Sequence, residues 1–374
     1  MQNSTYRTML YYSNCFLPEN MPLDQLTHIL YAFANVNPLN GEVFLSNEWV
    51  DTQMPISPTG SFTWLRGALG QLFELKRRHR NLKVLLSIGG YDNSDGFALA
   101  AMSPGSRAAF GSSAVHLVAN LGLDGAQNYI LLLQALRAAL DQYSNSLQTR
   151  YHFEITVACS AEPEYYTKLI IAEMDPFIDS WNLMAYDYSG AWSSIAAHQS
   201  NIFLSKSAST LFDTESAANY YLSKGIPRGK ITIGMPLFGR TFRGTEGIGQ
   251  SYKDVGPKDH QGVYSVYELP LPGSVVVYDK AVGASYCWHP VSKELISYDS
   301  PEVAVQKAQW IQDRGLGGIM WWEAFRDYSG EDSLIRISAG ALSALQQTEN
   351  MLDYPESTYA NESLMQEEYF SRNI

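Results

Sequence analysis

The sequence predicts a (β/α)8 barrel, the TIM-barrel fold, on three observations. Short apolar runs of strand-like composition alternate with longer segments of helical periodicity along most of the chain. The strand-like runs are almost continuously apolar, which is typical of parallel strands buried on both faces. With 374 residues, of which 45% are hydrophobic, the chain is long enough for a sizeable core. We therefore expect a parallel sheet covered by helices, and a closed barrel of this kind has eight strands.

Seven of the eight strands can be located directly in the sequence. The strand candidates are Tyr6–Ser13, His28–Val36, Leu82–Ile88, His152–Cys159, Ser180–Tyr186, Lys230–Pro236 and Gly317–Trp322. The helix candidates lie near Trp64–His79, Ser106–Asn120, Gln127–Tyr143, Asp213–Ser223 and Glu302–Arg314. The missing strand is the fourth, and it falls where the chain reads "LGLDGAQNY" between two adjacent helix candidates.

A small α+β domain is predicted to interrupt the barrel after its seventh strand. Residues 242–297 combine Gly, Pro and Tyr with short strand-like pieces such as "GSVVVYD" and "ASYCWHP". The barrel is then assigned to residues 6–241 and 298–346. Residues 347–374 hold six acidic residues and one Arg without clear periodicity, so they are expected to form an acidic mobile tail.

Charge and composition narrow the class of partner. The net charge of −12 argues against nucleic acid and against an anionic membrane surface. No run of 18 apolar residues is present, so no membrane-spanning helix is expected. The aromatic content of 13% fits equally well a protein that stacks flat, weakly charged ligands and a protein with an aromatic core.

The cysteines, the histidines and the first residues of the chain bear on cofactors, oligomeric state and localisation. The three cysteines and seven histidines show no metal-ligand spacing, so we expect neither a metal nor a cofactor. The opening residues "MQNSTYRTMLYY" contain no apolar leader segment. The expectation is a monomer that is cytoplasmic or that is released without a classical signal.

Four segments at the carboxyl ends of predicted strands carry a family resemblance. They are "LLSIGG" (Leu85–Gly90), "MAYDY" (Met184–Tyr188), "GMPLFGR" (Gly234–Arg240) and "GLGGIMWWEAFRD" (Gly315–Asp327). Barrel enzymes build their sites at this end of the sheet. In this order the four segments resemble glycoside hydrolase family 18 chitinases, in particular the fungal class without a secretion signal. The resemblance extends from Tyr6 to Ala344, and 242–297 resembles the insertion domain of that family.

The resemblance implies retaining hydrolysis of chitin, the β-1,4-linked polymer of N-acetylglucosamine. In that family the acetamido oxygen of the substrate attacks the anomeric carbon, a Glu protonates the leaving oxygen, and an Asp orients the acetamide. Both acids come from a D-G-x-D-x-D-x-E motif on the fourth strand, where alternate positions point to the same face. Chitin or a chitooligosaccharide is therefore the implied partner.

The resemblance also assigns roles to residues outside that motif. Tyr186 is implied to hydrogen-bond the acetamide, and Asp187 to contact the sugar near the scissile bond; these two are the remaining candidates for catalysis. Trp322 is implied to form the floor of the cleft, while its neighbour Trp321 is expected in the core. Tyr286 is equally well interpreted as a cleft residue or as a structural one.

Two further binding candidates stay open between a functional and a structural role. Met184 is expected either beneath the acetamido pocket or in the core. Arg240 is expected to pair either with a carboxylate or with sugar hydroxyls. Phe238 stands where the family often has Tyr, which removes one possible hydrogen bond.

Only the first part of the catalytic motif is present in this sequence. Asp124 and Gly125 match its first two positions, but Gln127, Tyr129 and Leu131 stand where the acids are required. Helical spacing resumes at once, so a deletion of about a dozen residues explains the pattern better than substitution does. The five residues left between the helices span about 17 Å when extended. The barrel can close only if "LDGAQ" forms a stub of the fourth strand.

The missing acid predicts a chain that is inactive or nearly so. Asp187 is not expected to replace the acid, since it lies on another strand. The sequence leaves open a non-catalytic chitin-binding lectin, an incomplete splice form or gene model of an active endochitinase, and an enzyme that uses a substitute acid.

Overall fold

The computed structural model describes residues 5–13, 16–54, 67–90, 95–127, 132–207, 209–256 and 262–357. The strands are β1 Arg7–Tyr12, β2 His28–Val36, β3 Val43–Leu45, β4 Lys83–Ile88, β5 Gly125–Gln127, β6 Glu154–Ser160, β7 Ser180–Met184, β8 Ile231–Pro236, β9 Phe238–Arg243, β10 Val263–Ser265, β11 Val275–Asp279, β12 Ala284–His289, β13 Glu294–Tyr298 and β14 Gly318–Trp322. The α-helices are α1 Gly67–Arg78, α2 Gly96–Met102, α3 Pro104–Leu121, α4 Leu133–Ser146, α5 Pro163–Tyr166, α6 Ile171–Met174, α7 Thr214–Ser223, α8 Pro301–Arg314 and α9 Leu334–Ala341. A π-helical turn spans Trp49–Gln53, and short 3-10 helices span Pro18–Asn20, Leu23–Gln25, Asp175–Phe177, Arg228–Lys230, Val266–Glu268, Ala324–Arg326 and Gly330–Asp332.

Eight parallel strands form the predicted barrel. The sheet order is β1-β14-β8-β7-β6-β5-β4-β2, and a further pairing joins β1 to β2 and closes the ring. The short strand β3 adds to β2 in the antiparallel direction. All seven strand candidates from the sequence are present, and the TIM-barrel prediction is confirmed.

The fourth barrel strand exists as a stub of three residues. Strand β5 pairs in parallel with β4 on one side and with β6 on the other. Gly125 has a φ of 154°, and a Cβ atom there would lie 2.0 Å from the carbonyl oxygen of Glu154, so only glycine fits this close approach. Gln127 belongs to this strand and not to the helix predicted from Gln127 to Tyr143; helix α4 begins at Leu133, and residues 128–131 lie outside the described ones.

The chain before the stub ends its helix as the sequence predicts. Helix α3 begins at Pro104, and the hydroxyl of its N-cap residue Ser103 accepts from the backbone N–H of Ser106 in a capping box. It ends at Gly122, which adopts the left-handed conformation with φ 69°. Only Leu123 and Asp124 lie between this glycine and β5, so the connection is short.

Two compact units divide the chain. The first unit comprises Tyr11–Val157, Pro176–Asp179 and Gln346–Ile374, and the second comprises Met1–Leu10, Ala158–Asp175 and Ser180–Leu345.

The first unit is organised around a buried ion pair at the base of β5. Asp124 is fully buried; its carboxylate accepts from Lys76 Nζ at 2.8 Å and from the backbone N–H of Val84 at 2.8 Å. The Tyr151 hydroxyl donates to the same carboxylate at 3.1 Å. Burial lowers the pKa of Lys76, while the charge of Asp124 acts in the opposite direction. The Asp124 carboxylate therefore joins three separate parts of the chain, whereas its position before a strand suggests only a turn residue.

The predicted mobile tail is wrong for its first part. Asn350 Nδ2 donates to the carbonyl oxygens of Lys76, His79 and Leu82, and the N–H of Met351 donates to Asp124 at 2.8 Å. Acidic composition suggested mobility, but the apolar and amide side chains between the acids pack against α1 and the start of β5. Residues 358–374 lie outside the described part of the chain.

Glu154 at the start of β6 has the partners that a buried carboxylate requires. Its carboxylate accepts a hydrogen bond from Lys83 and lies 3.1 Å from His28 Nε2. All three side chains are buried within the first unit. These contacts give Glu154 a structural role, because its carboxylate is paired with side chains of two neighbouring strands.

The second unit contains a five-stranded antiparallel sheet after the seventh barrel strand. Its order is β10-β9-β13-β12-β11, and it extends from Phe238 to Tyr298. Its described residues contain one 3-10 helix, Val266–Glu268, and no α-helix. The sheet overlaps the predicted insertion, residues 242–297, whose limits as a domain remain a prediction.

Candidate functional site

A polar group follows strand β7 in the second unit. Asp187 adopts a left-handed backbone conformation with φ 62°, which directs the chain sharply away from the strand. Both oxygens of its carboxylate accept from Arg240, from Nε at 2.8 Å and from Nη2 at 2.9 Å. Arg240 thus has a carboxylate partner, in a two-point geometry that fixes both side chains, while its role toward a sugar stays a prediction.

The guanidinium of Arg240 also lies over two aromatic rings. Its central carbon is 4.9 Å from the ring centroid of Trp192 and 5.2 Å from that of Phe238. The Trp192 side chain is nevertheless 59% exposed. Sequence reasoning missed Trp192, although a Trp in the polar loop "YSGAW" directly after a barrel strand was a usable signal.

Tyr186 lies at the same strand end, with most of its side chain buried. Its ring meets Phe238 edge to face, with centroids 6.0 Å apart. A Cβ atom on Gly234 of β8 would lie 2.9 Å from the Tyr186 ring, so the glycine makes room for it. The structure therefore brings together Tyr186, Asp187 and Arg240, three residues that the sequence singled out.

The exposure of Met184, Trp321 and Trp322 differs from residue to residue at the ends of β7 and β14. Met184 is 37% exposed, which does not fit the core alternative for this residue. Trp321 is fully buried as expected, and Trp322, which points the opposite way on β14, is partly exposed. The adjacent Glu323 carboxylate pairs with Arg326 at 3.3 Å and is only 12% exposed.

Tyr286 belongs to a different cluster, on the five-stranded sheet. It packs beside Phe242 and Leu295, and its ring centroid is 5.8 Å from that of His198. Burial raises the pKa of Tyr286. Burial also lowers the pKa of His198 to about 4.

A carboxylate that the sequence analysis did not single out lies after strand β6. Burial raises the pKa of Glu162, and the negative charges of Asp187 and then Glu164 raise it further. Glu162 is thus the acidic group near Asp187 whose protonated form is favoured by its surroundings.

In the first unit, the described part of β5 presents an amide in place of a carboxylate. Gln127 is buried, and its Oε1 accepts from the Tyr11 hydroxyl and, at 2.8 Å, from the Ser87 hydroxyl. Its Nε2 has no partner among the described residues. Over the same described ranges, no cluster of three His, Cys, Asp or Glu residues is placed to hold a metal ion, and no helix is long and apolar enough to cross a membrane.

A TIM barrel with an exposed tryptophan and an ion-paired carboxylate after a barrel strand has its polar groups where barrel enzymes build their sites. The chain belongs to the family described as Glycosyl hydrolases family 18, whose sequence pattern matches residues 4–327. It is a chitinase-like member of that family. It is 38% identical to Chitinase 1 of Aphanocladium album over 369 residues, which cover 94% of this chain and 87% of that protein.

Solved structures share the fold at lower identity. The catalytic domain of the psychrophilic chitinase B from Arthrobacter TAD20 superimposes with a TM-score of 0.82 at 23% identity, covering 92% of this chain and 99% of that one. The family 18 chitinase from Cycas revoluta, solved in complex with (GlcNAc)3, gives a TM-score of 0.74 at 23% identity, covering 90% and 99%.

Proposed function

We propose that this chain binds chitooligosaccharides and does not hydrolyse them at the rate of an active family member. The observation that carries the proposal is the fourth strand, which the family mechanism requires to present both acids. The sequence contains no Asp or Glu between Asp124 and Asp141. The described part of β5 contributes Gly125, Ala126 and Gln127 instead.

The neighbouring side chains support the loss of proton transfer from this strand. Gln127 accepts hydrogen bonds from Tyr11 and Ser87, and an amide has no ionisable proton to give to a leaving oxygen. Asp187 accepts two hydrogen bonds from Arg240, so it acts as an acceptor. Loss of a general acid removes about 10²- to 10⁴-fold of rate.

The aromatic groups of the second unit support retained binding. Trp192 and Trp322 offer indole surfaces that can stack on the apolar faces of sugar rings, and the Tyr186 ring packs against Phe238. The Cycas revoluta relative was solved with (GlcNAc)3, which supports N-acetylglucosamine oligomers as the ligand class.

One comparison tests both halves of the proposal. Purified chain is titrated with (GlcNAc)4 by calorimetry and assayed in parallel for hydrolysis of a fluorogenic chitobioside, with an active family 18 chitinase as the reference. We expect saturable binding and a rate at least ~10²-fold below the reference. Absence of binding contradicts the ligand assignment, and turnover equal to the reference contradicts the loss of hydrolysis.

A second candidate function, slow hydrolysis with a relocated acid, is favoured by one observation. The pKa of Glu162 is raised by burial and by nearby negative charge, as a general acid requires. If slow turnover occurs, Glu162→Gln should abolish it. The control is Glu164→Gln, since Glu164 is exposed and pairs with Lys168 at 3.7 Å. Equal turnover in both variants excludes Glu162 as the acid.

A further inference from the structure

We propose that Arg240 is a positioning residue for ligand binding, which holds Trp192 and Asp187 in place through one guanidinium group. This inference rests on the proposed binding function. It replaces the expectation that Arg240 itself contacts sugar hydroxyls.

Two of the three guanidinium nitrogens of Arg240 are engaged before any ligand arrives. Two of its nitrogens donate to Asp187 at 2.8 and 2.9 Å, and its flat face lies over the rings of Trp192 and Phe238. The Arg240 side chain is only 13% exposed. A group in these contacts has little freedom or surface left for a direct contact with a sugar.

Trp192 depends on this arrangement because little else covers it. The loop that carries it is pinned by Tyr252, whose hydroxyl donates to the carbonyl oxygen of Ser193 at 2.7 Å. The indole itself rests over Gly190, where a Cβ atom would lie 2.5 Å from the ring. Backbone contacts therefore place the loop, and the cation–π contact with Arg240 fixes the ring while leaving it 59% exposed.

An exposed ring that is already immobilised is a better stacking platform than a mobile one. Ordering a side chain on binding costs free energy, and an indole that is fixed beforehand avoids that cost. The same guanidinium keeps the Asp187 carboxylate in one orientation as a hydrogen-bond acceptor. Two ligand-contacting groups thus share one support.

The test compares Arg240→Met and Arg240→Lys with the control Arg243→Met. Arg243 lies on the same strand, is 48% exposed and pairs with Asp254 at 3.7 Å. We expect Arg240→Met to weaken (GlcNAc)4 binding roughly 5-fold. Arg240→Lys should recover only part of this, since lysine keeps the charge but loses the two-point geometry. Arg243→Met should leave the affinity unchanged.

Two further measurements separate positioning from a direct contact or a folding defect. In the ligand-free protein, the Trp192 emission, isolated by subtracting Trp192→Phe, should shift to the red and become more accessible to iodide in Arg240→Met. Arg240→Met combined with Trp192→Ala should weaken binding less than the product of the two single effects.

Unchanged Trp192 emission with multiplicative losses of affinity overturns the proposal. If the unmodified protein does not bind (GlcNAc)4, the proposed function fails, while the ligand-free emission still decides the role of Arg240.

Discussion

At the scale of single residues, His198 makes stability depend on pH. Burial lowers its pKa to about 4 from an ordinary value of 6.5, while the charge of Asp279 opposes this shift. The unfolded chain therefore takes up the proton first as pH falls below 6.5. We predict that the free energy of unfolding declines between pH 6.5 and 4 by about 3 kcal/mol because of this group. Urea unfolding at a series of pH values measures the decline.

The matched variants are His198→Phe and His116→Phe. The first removes the buried imidazole and should flatten this part of the pH profile. The second removes an exposed histidine on α3 and should leave the profile as it is. A profile that keeps its slope in His198→Phe contradicts the assignment.

At the scale of the element, the three-residue strand β5 depends on its glycine. A side chain at Gly125 would meet the backbone of Glu154, and the residue also has a positive φ. We predict that Gly125→Ala lowers the free energy of unfolding by at least ~2 kcal/mol, measured by urea denaturation. Gly229→Ala is the control, since nothing lies within 4 Å of its added Cβ, and it should be nearly neutral. Equal midpoints for the two variants contradict the prediction.

The same strand shows where sequence reasoning succeeds and where it stops. Strands such as His28–Val36 were predictable with their limits because most of the run is buried, and burial selects apolar residues. The residues of β5 show no such pattern, and they form a strand because β4 and β6 pair with them on both sides. The position of Trp192 in a polar loop after a barrel strand was a usable signal, but its contact with Arg240 was not predictable, because that residue lies 48 positions later in the chain.

At the scale of the whole molecule, residues 350–357 stabilise the fold through contacts with distant parts of the chain. Asn350 supplies one amide group to three carbonyl oxygens, at 2.9, 3.2 and 2.7 Å. Tyr354 is buried, and its hydroxyl donates to the carbonyl oxygen of Leu123 at 2.8 Å, next to the ion pair of Asp124 with Lys76. Most of these partners precede the segment by more than 200 positions, so the contacts oppose global unfolding.

We predict that Asn350→Ala lowers the free energy of unfolding by about 3 kcal/mol, because buried carbonyl oxygens lose their donor. The exposed Asn219, which accepts from Arg314 at 3.1 Å, provides the control variant Asn219→Ala, which should change stability by less than ~0.5 kcal/mol. Hydrogen exchange adds the location: in Asn350→Ala, the amides of Val84 and Asp124 should exchange faster, since both lie at the ion pair that this segment covers. Unchanged exchange at these two amides, together with a stability equal to that of the control, would show that the segment is dispensable.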